Sequence, residues 1–466
     1  MEEINTLRML HRYMLPIYLL AGCFSFSFAG IYIMVVPLSS LFWPGDPFHA
    51  LEMGILISTM FWPLSVAGIL YGKLIDKYNR IKIFYSVALV RGSCIFMLTF
   101  TLMGLGFSSW LYFYIFILIF AFAAGGNYPT LVSLAHDIVP KEMRSRFFGV
   151  YNLIRFVFQL IGFVFVGFLV QIGLWRLIFV IMGLALISSG TLMYMRIEEP
   201  KRGAQRQELK HLVKEDNVEY DFQMDKQSIR ETMLSPTNKI ALIEGIFTSI
   251  YLGSLTILFL PYIQTPPHNI SPLATGIFLA FFGLLGGILG QLYLASISDK
   301  FSQEKHIRRI YFIVVSLSLG AFFFVLLFLI PLPHLTVEQG ENLILFISNP
   351  IMWIMGLIYL SSTSVSALYN INQPPLLQDI NLPEAQGQIT AWNRFLETIA
   401  WGMGPMISGI LITISGENYQ LVAIIIGLFA VPGIALWIYG LRTYSEDMER
   451  INEILRERSL LLERRE

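Results

Sequence analysis

The chain has 466 residues and a formal net charge of zero, with 14% charged and 55% hydrophobic residues. A soluble domain usually carries about 25% charged residues, so this composition and the mean hydropathy of +0.63 exclude an ordinary soluble protein. A net charge of zero says nothing about nucleic acid, but no basic block suggests nucleic-acid binding, and none is expected. The two cysteines fall in apolar segments, which argues against a disulfide framework.

Four long stretches contain no Asp, Glu, Lys or Arg, namely residues 92–135, 245–298, 342–378 and 418–440. One membrane-spanning helix needs about 20 apolar residues, so each of the first three stretches can hold nearly two. Because the bilayer core offers no water to the backbone, these segments must be helices. The sequence therefore predicts an all-α polytopic membrane protein.

We predict twelve transmembrane spans, numbered in chain order: 14–39, 51–73, 83–105, 110–134, 146–170, 174–196, 240–262, 273–296, 310–331, 344–369, 390–414 and 419–441. Lys and Arg concentrate in the cytoplasmic loops of membrane proteins. If the N-terminus is inside, the inner loops hold nearly all of these residues and the outer loops hold only Arg176. Both termini are therefore expected in the cytoplasm, and the plasma membrane is the expected location.

A long polar segment separates two groups of six spans. We predict an N-terminal six-helix bundle at 1–196, a cytoplasmic linker at 197–239, a C-terminal six-helix bundle at 240–442 and a cytoplasmic tail at 443–466. Equivalent residues recur 242 or 243 positions apart, as in the pairs Asn127 and Asn370, Pro140 and Pro383, and Gly162 and Gly404. Repeated bundles with a site at their interface are a known transporter plan.

The apolar residues of the tail recur at near-helical spacing, at Met448, Ile451, Leu455 and Leu462. This pattern predicts a surface helix packed on the cytoplasmic face, with a partner-binding element as the alternative.

A charged turn between spans 2 and 3, residues 72–82, is the strongest candidate for a cytoplasmic gate, and a weaker copy surrounds Asp299 between spans 8 and 9. Glycine allows close backbone approach where a helix turns, and an acid there can pair with nearby bases. We predict gating roles for Gly72, Asp76, Arg80, Asp137, Arg144 and Asp299. The second turn is expected to be weaker, because Gly387 stands near the position equivalent to Arg144. The alternative is that the basic residues only set the topology.

The turn carries most of a known signature, Gly-x-Leu-x-Asp-Arg/Lys-x-Gly-Arg-Lys/Arg. The matching residues are Gly72, Leu74, Asp76, Lys77 and Arg80, with Asn79 in place of the second glycine. With its twelve spans, the chain resembles the major facilitator superfamily over essentially its full length. Residues 76–80 also resemble the Spinster-like group of lipid and organic-solute carriers, although span 1 lacks the acid and span 4 the arginine usual there.

This resemblance implies that spans 1, 4, 7 and 10 line a central cavity. The candidates for substrate binding in two of these spans are Asn127, Ser361, Thr363 and Asn370. Hydroxyls, amides and aromatic rings suit an amphipathic or weakly polar solute better than a strongly charged one. The hydroxyl run in span 10 also fits close helix packing, since small residues are common where membrane helices cross.

Four charges inside the predicted spans are functional candidates because charge in a membrane is costly. Arg91 either snorkels or supports the gate. Glu244 lies about one turn into span 7, where exposure at the membrane interface is the alternative to a functional role. Arg155 and Glu397, 242 positions apart, are predicted to bind substrate and to lie at equivalent depths. A local Arg394–Glu397 pair is the alternative. A buried carboxylate can carry a proton, so Glu397 and Glu244 are the proton-coupling candidates.

The leading hypothesis is a monomeric secondary transporter that moves a small organic solute across a lipid bilayer by alternating access, with protons as one candidate for coupling. An uncoupled facilitator and a non-transporting receptor or scaffold are the alternatives. No metal-ligand cluster, phosphate loop or nucleophile–base set occurs in the sequence. We therefore expect no enzyme activity and no cofactor.

Overall fold

A computed structural model describes residues 7–140, 143–200 and 229–463. In these ranges the regular structure is entirely helical, and twelve segments are long and apolar enough to cross a membrane. The predicted fold class and span count are confirmed. Most of the predicted linker, the basic residue Lys141 and the last three residues of the tail lie outside the described residues.

Spans 1–6 are built from nine helices. Span 1 is Leu7–Ile33, continued by Val35–Phe42; span 2 is Ala50–Ser58 and Trp62–Lys77; span 3 is Arg80–Met97 with a short turn at Leu98–Phe100; span 4 is Phe107–Ala124 and Asn127–Ile138; span 5 is Arg144–Gln171; span 6 is Trp175–Arg196.

Spans 7–12 follow a short helical turn at Ile229–Met233. Span 7 is Pro236–Gly253 and Leu255–Gln264; span 8 is Pro272–Ile288, a π-helical stretch Leu289–Leu294 and Ala295–Ser302; span 9 is Arg308–Leu329; span 10 is Pro350–Asp379; span 11 is Pro383–Ile414; span 12 is Tyr419–Leu428 and Ala430–Glu463. Two short helices, Val337–Glu341 and Leu343–Ser348, lie between spans 9 and 10.

Several spans extend beyond their apolar cores because polar residues cap them. Span 3 begins at Arg80, where the Asn79 side chain accepts a hydrogen bond from the Lys82 amide at 2.8 Å. This N-cap explains an asparagine where the family signature has a glycine. Span 11 begins at Pro383, and proline suits the first turn of a helix because it lacks an amide hydrogen.

Span 4 is interrupted at Gly125 and Gly126, where it crosses span 2. A Cβ added to Gly125 would lie 2.7 Å from the Ala67 Cβ and from the Leu64 carbonyl oxygen. Only glycine permits this approach without a shift of one helix. Asn127 follows immediately and begins the second helix of the span. The break therefore positions a residue that is predicted to bind substrate.

The described chain divides into two compact units. The N-terminal unit joins spans 1–6 with Phe259–Ala280 and Pro333–Phe346. The C-terminal unit includes span 7 up to Leu258, Phe281–Leu332 and Ile347 onward. The boundaries of the predicted bundles at residues 196 and 240 remain a prediction.

Contacts within the N-terminal unit hold the segments contributed by the second half of the sequence. A Cβ on Gly167 would meet the Pro272 carbonyl oxygen at 2.6 Å. The Ser271 amide donates to the Gly340 carbonyl at 3.1 Å. The nearby His268 ring makes a 3.0 Å hydrogen bond to the Pro333 carbonyl. Burial lowers the pKa of His268 below its usual value, so this ring is neutral at pH 7.

The last helix of the C-terminal unit continues from span 12 into the tail without a break, as Ala430–Glu463. Ile451 is buried in a cluster with Met233, Leu382, Ala385 and Ile389. At the start of span 7, the Asp447 carboxylate accepts a 2.9 Å hydrogen bond from the Thr237 amide. The described part of the tail is thus a helix packed on the polar ends of spans 7 and 11.

Candidate transport site

The charged turn between spans 2 and 3 contributes one nearly buried arginine to an ion-pair cluster. Arg80 is 2% exposed and pairs with Asp137 at the end of span 4 and, at 2.7 Å, with Glu199 after span 6. It also donates to the Ser133 hydroxyl at 3.0 Å and the Pro200 carbonyl at 3.0 Å. The cluster therefore ties three spans of the N-terminal unit together at one end.

Glu199 is a member of this cluster that sequence reasoning missed. Its second carboxylate oxygen accepts a 3.0 Å hydrogen bond from the Ile81 amide at the start of span 3. A carboxylate is favoured at a helix N-terminus, where amide groups lack partners. The sequence does contain two acids directly after span 6, but the predicted linker begins at residue 197 and includes them.

The interpretation of Gly72 as a turn residue is wrong. Gly72 lies inside the helix Trp62–Lys77, and a Cβ added there would meet nothing within 4 Å. The chain instead turns at Tyr78, which has an extended backbone. Asp76 is exposed in the last turn of this helix.

Arg144 closes the end of span 4 rather than joining the ion pairs around Arg80. Its guanidinium donates to the His136 carbonyl at 2.9 Å and to the Val139 carbonyl at 3.3 Å. These carbonyls belong to the last turn of a helix, where a cation is favourable.

The equivalent turn of the C-terminal unit is better connected than expected. Asp299 pairs with Arg309 at 2.9 Å, and Arg309 also donates to Asn372 at 3.2 Å. Asp379 pairs with His306 at 2.7 Å and accepts a hydrogen bond from Tyr444 at 2.9 Å. The expectation of a weak second cluster did not anticipate Arg309, because it lies ten residues after Asp299 whereas Arg80 lies four after Asp76.

In the interior of the C-terminal unit, Glu244 is fully buried. Its carboxylate accepts hydrogen bonds from the Thr248 hydroxyl and, at 3.0 Å, from the Tyr369 hydroxyl of span 10. Gln373 donates to the same tyrosine hydroxyl at 2.8 Å. No basic side chain forms an ion pair with Glu244 within the described part of the chain.

Glu397 of span 11 lies beside this group. A Cβ on Gly245 would be 3.3 Å from the nearer Glu397 carboxylate oxygen. Glu397 accepts a 2.9 Å hydrogen bond from Asn393 and has a 3.6 Å ion pair with Arg394, whose side chain is 80% exposed. The local pair proposed as the alternative from the sequence is therefore present in the structure.

The hydroxyls predicted to line the cavity are bonded within span 10. Ser361 donates to the Leu357 carbonyl at 2.8 Å, and Thr363 donates to the Leu360 carbonyl at 3.0 Å. The Thr363 hydroxyl also packs against Gly286 of span 8, so closely that a Cβ added to this glycine would collide with it. This geometry favours close helix packing over solute binding for Thr363.

The two equivalent asparagines differ in their surroundings. Asn127 has a buried side-chain oxygen without a hydrogen-bond partner among the described residues. Asn370 is exposed on span 10, next to Tyr369. A buried acceptor without a donor is costly, so Asn127 remains the stronger candidate for contact with a solute.

The interior of the N-terminal unit contains two arginines. Arg91 is 2% exposed, and its guanidinium carbon lies 3.8 Å from the centre of the Phe24 ring and 4.3 Å from that of Phe120. This burial excludes the snorkelling expected from the sequence. Arg155 is exposed, and its Nε–H donates to the Ser25 hydroxyl at 3.3 Å. The structure thus places both arginines beside span 1.

Comparison with known proteins decides the family. A sequence profile described as Major Facilitator Superfamily matches residues 17–405, most of the chain. The chain belongs to the major facilitator superfamily. The predicted family is therefore confirmed. Comparison with curated proteins gives no match.

Solved transporters of this superfamily fold share the architecture. A bacterial homologue of the human lysosomal transporter Spinster, in an inward-facing and unoccupied conformation, matches with a TM-score of 0.69 and 17% identity over 93% of this chain and 98% of its own. A mutant of the nucleoside transporter NupG matches with a TM-score of 0.66 and 14% identity, over 92% and 99%. A D-xylose–proton symporter matches with a TM-score of 0.62 and 14% identity, over 90% and 97%.

Membership in the major facilitator superfamily makes this chain an integral, multi-pass membrane transporter rather than an enzyme. Its partners are accordingly a small-molecule substrate and the lipid bilayer. Identities of 14–17% show a shared fold and do not transfer a substrate.

Proposed function

We propose that this chain is a proton-coupled secondary transporter that moves a small organic, amphipathic or weakly polar solute by alternating access. The observation that carries the proposal is Glu244, a carboxyl group buried in span 7 with hydroxyl partners and no basic partner among the described residues. We further propose that it works as a monomer in the plasma membrane with both termini in the cytoplasm.

The environment of Glu244 suits a group that gains and loses a proton. A carboxylate buried without a counter-ion is costly, and adding a proton removes that cost. When the proton leaves, the hydroxyls of Thr248 and Tyr369 can stabilise the anion as hydrogen-bond donors without supplying a fixed positive charge. Both states are therefore accessible, as a transport cycle requires.

Glu397 supports the same assignment as a second site. It lies near Glu244, is partly exposed and interacts with the exposed Arg394. We infer that Glu397 exchanges protons with water and that Glu244 holds the proton within the unit.

The link from Glu244 to span 10 gives protonation a structural effect. Tyr369 bonds to Glu244 of span 7 and also accepts from Gln373, so the carboxyl group bridges two of the spans that line the cavity in this family. A change in its charge alters the strength of this bridge. A conformational equilibrium shifts when one state binds the proton better than the other.

The test starts with a thermal-shift screen of purified protein against lipids, drugs, sugars, amino acids and organic acids, since binding raises the stability of the folded state. Uptake of a compound that stabilises the protein in this screen is then measured in proteoliposomes. We expect an inward proton gradient to drive accumulation by the wild type. We expect Glu244→Gln to abolish this accumulation but to retain solute exchange without a gradient, because exchange requires no net proton movement.

Glu338→Gln in the outer loop is the matched control and should accumulate solute like the wild type, because Glu338 is exposed. Glu397→Gln should also lose gradient-driven accumulation, and intact accumulation would remove it from the mechanism. Uptake that ignores the gradient in the wild type would favour an uncoupled facilitator. Saturable binding without any flux would favour a receptor.

A further inference from the structure

Arg91 and Arg155 lie deep in the N-terminal unit. Each is eleven residues from the first residue of its helix, Arg80 in span 3 and Arg144 in span 5. At 1.5 Å per residue this is about 16 Å, roughly half of a hydrocarbon core of about 30 Å. Both charges therefore lie about three helical turns into their spans.

No carboxylate of the described N-terminal half accompanies them at this depth. The acids of the described residues 7–140 and 143–200 all lie in loops or end turns of helices, at Asp46, Glu52, Asp76, Asp137, Glu198 and Glu199. Asp137 and Glu199 are already paired with Arg80. Within these ranges the interior thus has two positive charges and no negative charge.

Arg91 is held in place without satisfying its hydrogen-bond donors. The guanidinium lies over the faces of the Phe24 and Phe120 rings. This cation–π arrangement is favourable when water is absent. Its Nε and Nη1 atoms are buried and have no hydrogen-bond partner among the described residues. Unsatisfied donors on a buried charge are costly, so this side chain is oriented but still lacks an acceptor.

Arg155 supplies the accessible part of the same region. It is exposed, donates to Ser25 and lies with its guanidinium carbon 5.7 Å from the Tyr151 ring centre. Ser25 follows Phe24 in span 1, and Arg155 and Arg91 repel one another electrostatically. One short stretch of span 1, Phe24 and Ser25, therefore contacts both arginines.

Two like charges of this kind do not stabilise the fold. Desolvation of a guanidinium without a counter-ion is costly in general, and apolar residues of similar volume often pack at least as well. A buried arginine without a counter-ion, beside a second arginine that is exposed, is more readily explained by a ligand than by packing. The ligand that compensates them is an anion.

We propose that Arg155 and Arg91 form an oxyanion-binding site in the N-terminal unit, so that the transported solute carries a carboxylate, sulfonate or phosphate-monoester group. This inference rests on the proposed transport function. It narrows the proposed amphipathic or weakly polar solute to an amphipathic one that carries an anionic group.

The two arginines have different tasks. The fork of N–H groups on Arg155 matches two oxygens of an oxyanion. Arg91 supplies a second positive charge, and its buried Nε and Nη1 donors are available to a bound anion. Aromatic surfaces nearby can contact an apolar body, since Tyr151 is buried beside Arg155 and the Tyr128 side chain is 66% exposed.

The test measures binding to purified protein in a neutral detergent, without any gradient. The probes share one naphthyl body: naphthoate, naphthalenesulfonate and naphthyl phosphate, with the neutral naphthamide as the matched control. We expect at least one anion to bind saturably and to raise Tm, and naphthamide to have no effect. Binding should weaken as ionic strength rises, because salt screens the attraction.

Arg155→Gln should weaken binding of that anion about tenfold or more, the effect of losing a charge-assisted contact. Arg155→Lys should weaken it less, because charge is kept and the fork is lost. Arg91→Met should reduce binding while leaving the ligand-free Tm equal to or above that of the wild type. Arg176→Gln, which removes an arginine at the outer end of span 6, should bind like the wild type.

Three outcomes would overturn the site: no anion binds the wild type at millimolar concentration, naphthamide binds as well as naphthoate, or Arg91→Met lowers the ligand-free Tm strongly without changing affinity. These results are independent of proton coupling. If the anion binds as described but Glu244→Gln still accumulates solute, the oxyanion site stands and the coupling assignment fails. If accumulation follows the proton gradient but no anion binds, the coupling assignment stands and the oxyanion site fails.

Discussion

Arg80 shows how a single side chain can hold several helices at a membrane surface. It is almost fully buried, and two carboxylates, a hydroxyl and two carbonyls from two parts of the chain, the end of span 4 and the segment after span 6, surround its guanidinium. A lysine would offer one compact charge in place of this fork. The requirement for arginine here is therefore geometric as well as electrostatic.

Arg80→Gln should destabilise the protein by roughly 3 kcal/mol, since removal of one partner from a buried ion pair leaves uncompensated charge. Thermal unfolding in detergent would show a lower Tm. Lys82→Gln, an exposed change two residues away, is the control and should leave Tm unchanged. Asp137→Asn should cost much less in the Arg80→Gln background than alone, and full additivity would contradict the pairing.

At this scale the sequence identified charged residues but could not identify their partners. Arg80 and Asp137, predicted to belong to one cluster, form an ion pair, but the sequence did not indicate that Glu199 and Arg309 join the two clusters. Ion pairs between residues over 100 positions apart, such as Arg80 and Glu199, depend on helix packing that no local pattern encodes. Burial is equally hidden, so the sequence did not show that Arg91 and Glu244 are almost completely shielded from solvent.

Among the helices, the crossing of spans 7 and 11 explains one of the repeated glycines. A Cβ on Gly404 would lie 2.8 Å from the Ser254 amide nitrogen, and the Ser254 hydroxyl donates to the Gly404 carbonyl at 3.2 Å. Its equivalent Gly162 packs in the same way, with a Cβ position 2.9 Å from the Phe26 carbonyl of span 1. Small residues allow such close contacts between membrane helices.

Gly404→Val should therefore lower stability by about 1–3 kcal/mol through overpacking. Gly387→Ala in the same helix is the matched control. Its added Cβ meets nothing within 4 Å, so alanine should be neutral or stabilise by up to about 1 kcal/mol. Unfolding temperatures of both variants, measured in one detergent, check the pair; a harmless valine at 404 would refute the proposed close crossing.

Helix number was predictable because each span needs its own apolar stretch, and that requirement is local. The breaks within spans 4 and 7 were not predicted, since Gly125, Gly126 and Ser254 are ordinary residues in an apolar run. Their effect depends on the helix that crosses at that point. Span 11 also began seven residues earlier than predicted, because its polar first turns lie outside the apolar stretch.

For the molecule as a whole, the clusters around Arg80 and around Arg309 each lie within one compact unit. They make each unit rigid at its polar end, which suits units that move as bodies. Asp76 lies exposed at the end of span 2, near the first of these clusters in sequence. Its proposed gating role concerns the balance between conformations rather than the fold.

Asp76→Asn should shift the resting population towards inward-open states by about 1 kcal/mol or more, a several-fold change. A single cysteine at Asn370, in a background with Cys23→Ser and Cys94→Ser, would report the change as faster labelling from the cytoplasmic side. Asp46→Asn, in the loop between spans 1 and 2 that is predicted to lie outside, should label like the parent. Unchanged labelling in Asp76→Asn would leave topology as the only role of the turn.

The continuous last helix has a practical consequence for spectroscopy. Ala430–Glu463 has 34 residues and is about 51 Å long at 1.5 Å per residue, so part of it extends well beyond the hydrocarbon. Asp447 and Ile451 fasten its base to the C-terminal unit. A spin label or fluorophore at the exposed Glu457 would therefore move together with that unit. Distances from this label to a second label elsewhere would report the movements of the unit.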